Sequence, residues 1–527
     1  MRHLDEELQG QLTAIPEDQR AGWLRNKLLE NPLNAAALRY LADEEKRAGD
    51  SVRAGHLLLR ALELSPAYLG ARAAYAGVLA VRREHMAAYH ECARLLIAAP
   101  DNFEYRLQRA DSAVNIERFD EAKQLYDQLL QEKPRHLGLL RSYGILMKTL
   151  GNRDEAAQTF RTLLTHYPNA GAAYYGLNEL RANHLTRDDV AQMMRRLAAG
   201  VPIDASRRAM AYALAQTLEG MGEYKASFEA YEFAAKESGA IVEGTNLAHD
   251  PATSAQRLDR MRHAFTASAI AARAATPPAN PATTPIFVMG MPRAGSTLVE
   301  QILASHDQVE GTRELPVVSD VIRQIAMSRL LVAPDVYPDR VLEYSRAELD
   351  QFGADVIDGI AKYRRGTLPY VIDKRPWNWV DAPFLHLILP QAKFIEVRRA
   401  PMAACFAMYK QMLPPDAAFS HDLTHLGRYY RDYVDYMDYL DAVMPDAILR
   451  VFYENLVDNT EPEIRRMLDY CGLPFDERCL RFWETDRAVL TPSAEQVRKP
   501  IYRGALEQWK NFEPWLGELK AALGDLV

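Results

Sequence analysis

The stretch IFVMGMPRAGSTLVEQILAS, residues 286–305, decides how the second half of the chain folds. Its first four residues are apolar and predict a buried strand, whereas the residues from Ser296 onward place apolar side chains at helical spacing. Gly290 and Gly295 enclose the turn between the two elements. A strand, a glycine turn and a helix in this order direct backbone N–H groups and the helix dipole at one point. The stretch therefore predicts an anion-binding cradle.

The cradle departs from the nucleoside triphosphate P-loop at one position. Gly290, Gly295 and Thr297 fit the pattern G-x-x-x-x-G-K-[ST], but Ser296 stands where the lysine belongs. With Arg293 inside the turn, such a loop suits a smaller anion, for example a 5′-phosphate that bears a sulfonyl group. Two alternatives stay open: a nucleotide kinase or other P-loop NTPase, and a plain strand–turn–helix in which a hydroxyl only caps the helix.

The first half of the chain carries a repeat of 34 residues, which is the tetratricopeptide period. Small residues recur 12 and 24 positions before each of the last four repeat prolines, as close helix packing requires. The prolines that mark the period are Pro32, Pro66, Pro100, Pro134 and Pro168. This spacing predicts an all-α superhelix over residues 1–270, whose surface would hold a peptide or protein partner or serve dimerisation or scaffolding. Residues 271–285 are rich in Pro, Ala and Thr and predict a linker before a second domain at 286–527.

Composition excludes several classes of protein. The chain has 527 residues and a formal net charge of −8, which argues against a general nucleic-acid binder. Its four cysteines are scattered, so neither a zinc site nor a disulfide framework is expected, and no metal is implied. The charged N-terminus does not resemble a signal peptide, and no apolar run is long enough for a membrane span. The expectation is a cytoplasmic protein.

Several polar residues follow predicted strands of the second half. Glu314 comes after a short strand near residue 309, Lys374 after the strand 368–373, and Arg399 after the strand 393–397. Carboxyl ends of parallel strands are where open α/β sheets bind ligands. The pattern therefore predicts an α/β domain with a central parallel sheet and a site at that edge.

These motifs carry a resemblance to a known family. The run PRAGSTL, residues 292–298, resembles the 5′-phosphosulfate loop of sulfotransferases that use 3′-phosphoadenosine 5′-phosphosulfate (PAPS), and DKRPWN, residues 373–378, is similar to their Asp-Lys-x-Pro-x-Asn motif. With the repeats, the chain resembles bacterial tetratricopeptide-repeat sulfotransferases, which are similar to tyrosylprotein sulfotransferases. The resemblance extends over nearly the whole chain.

The resemblance implies a role for each matching residue. It implies that Glu314 is the catalytic base and that Lys374 and Ser493 stabilise charge in the transition state. Ser493 belongs to a late loop, residues 491–502, which would close over the nucleotide. The residues implied to bind the PAPS co-substrate are Arg293, Ala294, Gly295, Ser296, Thr297, Arg399, Tyr453, Arg498 and Lys499.

The chain departs from the family at the expected 3′-phosphate motif, which is Arg-Asp-Pro with a serine eight residues after the arginine. Arg399 matches, but Ala400 replaces the aspartate and Ala407 replaces the serine. Lys410 or Arg398 is a candidate to compensate for the lost hydroxyl.

The resemblance implies transfer of a sulfuryl group from PAPS to a hydroxyl, with a tyrosine in a peptide or protein as the favoured acceptor. A carbohydrate or a small phenol is the alternative acceptor. A third interpretation is a non-catalytic repeat scaffold with a degenerate transferase domain, as the two alanines suggest. An acidic peptide substrate predicts a basic cleft beside Glu314, and the dimers that related enzymes form make a homodimer an open expectation.

Overall fold

Helices form the first half of the chain and a parallel sheet organises the second. The computed structural model describes residues 2–180, 184–200, 204–245, 247–278, 281–328, 337–485, 497–501 and 503–527. The helices of the first half are α1 (Arg2–Thr13), α2 (Glu17–Glu30), α3 (Ala35–Arg47), α4 (Ser51–Leu64), α5 (Leu69–Val81), α6 (His85–Ala98), α7 (Phe103–Asn115), α8 (Phe119–Glu132), α9 (Leu137–Thr149), α10 (Arg153–His166), α11 (Gly171–Glu179), α12 (Arg187–Ala198), α13 (Ala205–Gly220), α14 (Tyr224–Val242), α15 (Pro251–Ala264) and α16 (Ala267–Arg273). The elements of the second half are β1 (Thr284–Gly290), α17 (Ser296–Leu303), β2 (Val309–Gly311), α18 (Val317–Ser328), α19 (Arg346–Ala361), β3 (Tyr370–Lys374), α20 (Ala382–Ile388), β4 (Lys393–Arg398), α21 (Pro401–Tyr409), α22 (Leu423–Val443), β5 (Ile448–Phe452), α23 (Tyr453–Asp458), α24 (Thr460–Cys471) and α25 (Gly517–Leu523).

Paired helices repeat along the first half with the period that the prolines predict. The first helix of a pair begins at residues 35, 69, 103 and 137, and the second at residues 51, 85, 119 and 153, so each step is 34 residues. The small residues at the predicted contacts are buried, among them Ala42, Ala76, Ala88 and Ala122. Gly144 makes room for the ring of Phe160, which would lie 2.6 Å from a β-carbon built there. The tetratricopeptide-repeat prediction is confirmed.

The repeat prolines explain where the second helix of each pair ends. The residue before a proline is pushed out of the helical region by the proline ring. Ser65, Ala99, Lys133 and Tyr167 each precede a proline and end a helix with φ between −132° and −147°. The period is thus set by backbone sterics as well as by packing.

The chain divides into two compact units. One comprises residues 1–180 with 241–248, and the other comprises residues 181–240 with 249–527. The second unit therefore contains most of the hairpin α13–α14 together with the whole sheet. Tyr231 of α14 packs against Phe406 and Phe512, and Gln216 of α13 donates a hydrogen bond to the carbonyl of Lys410.

The stretch predicted as a linker, 271–285, lies within that second unit. Its first residues still belong to α16, which ends at Arg273, and its last two begin β1. The stretch marks the change from helices to the sheet, whereas the two compact units divide near residue 180. A domain boundary at 271–285 therefore stays a prediction.

A five-stranded parallel sheet in the order β2-β3-β1-β4-β5 forms the centre of the second unit. Strand β1 is the middle strand and all seven of its residues are buried, as a two-sided helical cover requires. It pairs with β3 and β4 in parallel registers that set Val288 beside Lys374 and Gly290 beside Val397. The carboxyl ends of all strands meet at one edge, where Glu314 and Arg399 follow their strands and Lys374 is the last residue of β3, one position further into the strand than predicted.

Aromatic side chains of α22 form part of the core. Tyr430, Tyr433 and Tyr436 are almost fully buried, and Trp379 packs against the last two. The tyrosine-rich face of α22 is therefore part of the core. Among the described residues, none of the helices combines the length and apolar character that a bilayer crossing needs.

Candidate functional site

The glycine turn after β1 adopts a backbone that only glycine tolerates at two positions. Gly290 has φ 135°, and a β-carbon there would lie 2.4 Å from the carbonyl oxygen of Val397. Gly295 has φ 108°, and a β-carbon there would lie 2.5 Å from the ring of Tyr453. Arg293 also has a positive φ, 65°, which is uncommon for a residue with a side chain. The turn is therefore narrow, and its shape requires glycine at positions 290 and 295.

Helix α17 begins directly after this turn. Gly295 is its N-cap and, as a glycine, has no side chain that could accept a capping hydrogen bond. The first N–H groups of a helix have no partner within it, and the helix dipole makes this end positive. Ser296 and Thr297 are buried in the first turn. The predicted cradle is thus present as a local structure that suits an anion.

Glu314 and Lys374 form an ion pair at the carboxyl edge of the sheet. The Nζ atom of Lys374 donates to Oε1 of Glu314 over 2.7 Å. Lys374 is 1% exposed, whereas the Glu314 side chain is 29% exposed. Because Lys374 lies beside Val288, two residues before Gly290, this pair is adjacent to the glycine turn. A buried amine thus holds a carboxylate that solvent, and hence a substrate, can reach.

Hydrogen bonds connect the end of β3 to the segment that carries Glu314. Thr312 donates to the carbonyl of Ile372 over 2.6 Å, and the N–H of Leu315 donates to Oδ1 of Asp373 over 3.3 Å. Arg375 donates to the hydroxyl of Ser319. These hydrogen bonds fix the backbone on both sides of Glu314.

Asp373 is the buried centre of this arrangement. Its side chain is fully buried and also accepts a hydrogen bond from Nδ2 of Asn378 over 3.2 Å. Burial raises the pKa of Asp373 to about 7, although the Leu315 N–H and the charge of Arg375 act in the opposite direction. The carboxyl group therefore titrates near neutral pH.

Arg399 connects the end of β4 to the glycine turn. Its Nη1 donates to the carbonyl of Arg293 over 3.2 Å, and its guanidinium lies 5.2 Å from the centre of the Tyr453 ring. Tyr430 donates to the carbonyl of Arg399 over 2.6 Å. Since the Tyr453 ring also covers Gly295, the structure brings Arg293, Gly295, Arg399 and Tyr453 together.

Arg398, the neighbour of Arg399, forms an ion pair with Glu396. Its Nε donates to the fully buried carboxylate of Glu396 over 2.7 Å, and Tyr433 and Arg450 donate to the same carboxylate. Glu396 raises the pKa of Arg398 further above its ordinary value, although burial opposes this. Arg398 therefore takes part in an internal ion-pair network.

The late loop is described only in part. Ser493 lies outside the described residues, as does most of the loop 491–502 around it. Residues 497–501 are described, and there Val497 and Ile501 pack in the core that also contains Tyr453. Arg498 is half-buried and Lys499 is exposed within this stretch. The core contacts attach the loop end to the same region as the glycine turn.

Sequence reasoning missed the residues that position others. Asp373 lies inside a motif that was recognised, but its buried hydrogen bonds to Leu315 and Asn378 depend on three-dimensional packing. Glu454, next to Tyr453, accepts a hydrogen bond from the N–H of Ala400 over 3.0 Å, and its place in a Tyr-Glu-Asn-Leu run was the available signal. Glu219, which pairs with Lys410, had no such signal, because 191 residues separate the two partners.

Comparison with known proteins finds a family-model match within each half of the chain. Residues 285–477 match the model of a sulfotransferase family, and residues 117–180 match a tetratricopeptide-repeat model. The chain thus contains a tetratricopeptide-repeat region and a stretch that is similar to a sulfotransferase family.

Individual relatives are similar to different shares of the chain. An uncharacterised protein of Aquifex aeolicus (strain VF5) is 28% identical over 419 residues, which cover 78% of this chain and 54% of that protein. A putative protein-tyrosine sulfotransferase of Caenorhabditis briggsae is 25% identical over 236 residues, 42% of this chain and 80% of the relative. The solved sulfotransferase domain of the Synechococcus PCC 7002 olefin synthase is 26% identical, with a TM-score of 0.32 over 45% of this chain and 90% of that domain. The chain thus spans about half the length of the Aquifex relative.

Proposed function

We propose that this protein transfers a sulfuryl group from PAPS to the hydroxyl of a tyrosine in a peptide or protein. The observation that carries the proposal is the ion pair of Glu314 with the buried Lys374, placed beside a glycine turn that suits an anion. A solvent-accessible carboxylate next to an anion cradle is the arrangement that transfer to a hydroxyl requires, because the hydroxyl must lose its proton.

The residues at the glycine turn fit the donor. Gly290 and Gly295 let Val397 and the Tyr453 ring pack closely against the turn, and helix α17 presents its positive end there. Arg293, Ser296 and Thr297 line the turn, and Arg399 and Tyr453 lie beside it. When bound, the donor supplies a sulfuryl group attached to a phosphate, and the phosphate is a good leaving group.

Two residues of the chain then have roles in the reaction: one accepts a proton and the other stabilises negative charge. Glu314 accepts the proton of the incoming hydroxyl on a carboxylate oxygen. Lys374 keeps this carboxylate in place, and its buried ammonium group stabilises negative charge in a site from which water is partly excluded. The hydrogen bonds of Asp373 and Arg375 hold the segment around Glu314, so the carboxylate is oriented before the acceptor arrives.

Tyrosine as the acceptor is supported by two observations. Several relatives are named protein-tyrosine sulfotransferases, at about 25% identity. In addition, Arg313 is the sequence neighbour of Glu314, and Arg375 approaches the carbonyl of Leu315 to 3.5 Å. These cations suit an acidic peptide around the acceptor tyrosine. Residues 1–270 are proposed to hold the peptide or protein partner.

The test is a transfer assay with ³⁵S-labelled donor. We expect label on an acidic peptide that contains tyrosine and none on the same peptide with phenylalanine. Label on a carbohydrate or a small phenol instead would overturn the peptide assignment but keep the transferase. Failure of the protein to bind adenosine 3′,5′-bisphosphate would contradict the transferase itself and favour the scaffold, and binding of ATP with magnesium would favour an NTPase.

A further inference from the structure

Helix α21 has one open stripe along an otherwise buried surface. Its residues 402–406, 408 and 409 are buried, whereas Ala407 is partly exposed. Ala400, just before the helix, is exposed, and Lys410, just after it, is partly exposed. With 3.6 residues per turn, positions 400, 407 and 410 lie within about 80° of one another around the helix axis. The stripe thus runs from Arg399 at one end to Lys410 at the other.

The two stripe positions that precede Lys410 in the sequence have no polar side chains. Ala400 and Ala407 present only methyl groups, so among the three positions only Lys410 carries a polar group. An anion that enters the stripe beside Arg399 therefore has Lys410 as the next charged partner along the helix.

Three cations and two carboxylates, those of Glu219 and Glu454, surround this stripe. Nζ of Lys410 donates to Oε1 of Glu219 over 2.6 Å, and its ammonium lies 5.2 Å from the centre of the Phe406 ring. Burial lowers the pKa of Lys410, and the positive charges of Arg293 and Arg399 lower it further, while Glu219 opposes them. Arg399 in turn contacts the backbone of Arg293. The three positive charges outnumber the two carboxylates, so the stripe favours an anion.

Helix α13 holds Lys410 in this position. Besides the ion pair with Glu219, Gln216 donates to the carbonyl of Lys410 over 2.9 Å, and Arg208 donates to the carbonyl of Leu413. Tyr231 donates to the second oxygen of Glu219 over 2.7 Å, so the carboxylate is itself oriented. A helix that belongs to the hairpin α13–α14, and not to the sheet, thus sets the position of the ammonium group.

We propose that Lys410, with Arg399, binds a second phosphate group of the donor nucleotide, its 3′-phosphate, and that Glu219 is the positioning residue for Lys410. This inference rests on the proposed function, because the glycine turn takes the 5′-phosphate. Lys410 then supplies the contact that a serine hydroxyl at position 407 would make. The hairpin α13–α14 becomes part of the donor site.

The test measures calorimetric affinity of the full chain for adenosine 3′,5′-bisphosphate and for adenosine 5′-phosphate. Lys410→Met should weaken the bisphosphate by about 10- to 100-fold, the effect of one lost hydrogen bond to a charged group, and leave the monophosphate unchanged. Lys410→Arg should keep most of the preference for the bisphosphate. The matched control is Lys393→Met at the amino end of β4, where the lysine packs over Tyr470 and both affinities should persist.

Glu219→Gln, alone and combined with Lys410→Met, tests the positioning role. If Glu219 acts through Lys410, the double variant binds the bisphosphate no more weakly than Lys410→Met alone, whereas independent, additive losses contradict the role. A Lys410→Met protein with an unchanged preference, or with equal losses for both nucleotides, overturns the assignment of Lys410. A wild-type protein that binds neither nucleotide instead contradicts the proposed donor.

Discussion

At the scale of single residues, the pair of Glu314 and Lys374 has the most specific consequence. Glu314→Gln removes the proton acceptor but preserves the size of the side chain, so turnover should fall by about 10²- to 10⁴-fold. The affinity for adenosine 3′,5′-bisphosphate should stay unchanged, because Glu314 is proposed to face the acceptor. Steady-state kinetics and calorimetry check this, with Glu343→Gln, an exposed partner of Arg340, as the control. Equal turnover in both variants would remove Glu314 from the chemistry.

Asp373 makes folding stability depend on pH. In the unfolded chain an aspartate loses its proton near pH 4, whereas the pKa of buried Asp373 is about 7. The folded state holds the proton longer, so this residue's contribution to stability is complete below about pH 4 and is lost as pH rises to about 7. Asp373→Asn removes the titration but retains an acceptor for the Leu315 N–H.

Urea unfolding of wild type and Asp373→Asn at pH 5 and pH 8 measures this effect. The wild type should lose unfolding free energy relative to the variant as pH rises. The full loss, between the unfolded and the folded pKa, is on the order of 4 kcal/mol. A difference that stays constant with pH would show that the carboxyl group is not protonated in the fold.

At the scale of elements, the turn between β1 and α17 depends on glycine. Gly290→Ala would place a β-carbon against the backbone of Val397 on a strand that cannot move without breaking the sheet. We expect a loss of roughly 2 kcal/mol or more in stability, and loss of nucleotide binding. Gly239→Ala within α14 is the control, since nothing lies within 4 Å of its β-carbon, and it should be neutral or stabilising by up to about 1 kcal/mol. Thermal unfolding with and without the bisphosphate compares the two.

The elements that the sequence predicts are those with a local signal. The period of 34 residues defines the repeat helices, and the apolar run before Gly290 defines β1, because both patterns depend on neighbours along the chain. The site residues at strand ends follow from the rule for parallel sheets. In contrast, the raised pKa of Asp373 arises from burial, and the pairing of Lys410 with Glu219 arises from a contact between distant segments. No spacing in the sequence reports either of them.

At the scale of the whole molecule, the division into units predicts which fragments are stable. A fragment that begins at residue 271 lacks α13 and α14, whose Gln216 and Tyr231 contact Lys410, Phe406 and Phe512. It should expose apolar surface and aggregate. A fragment that begins at residue 181 keeps the hairpin and should unfold cooperatively. Size-exclusion chromatography and thermal unfolding of both fragments check this, and a stable 271–527 fragment would show that the hairpin is dispensable.

The central position of β1 also has a consequence for synthesis on the ribosome. Thr284 pairs with Tyr370, 86 positions later, and Ile286 pairs with Lys393, 107 positions later, so the first-made long strand emerges well before either neighbour. At translation rates of roughly 5–20 residues per second, this strand, which is wholly buried in the folded protein, waits roughly 5–20 s for its second partner. The repeat helices, whose contacts are local, complete their folding during that time. The nascent chain is therefore most vulnerable to self-association, and most in need of a chaperone, while β1 has left the exit tunnel and β4 has not.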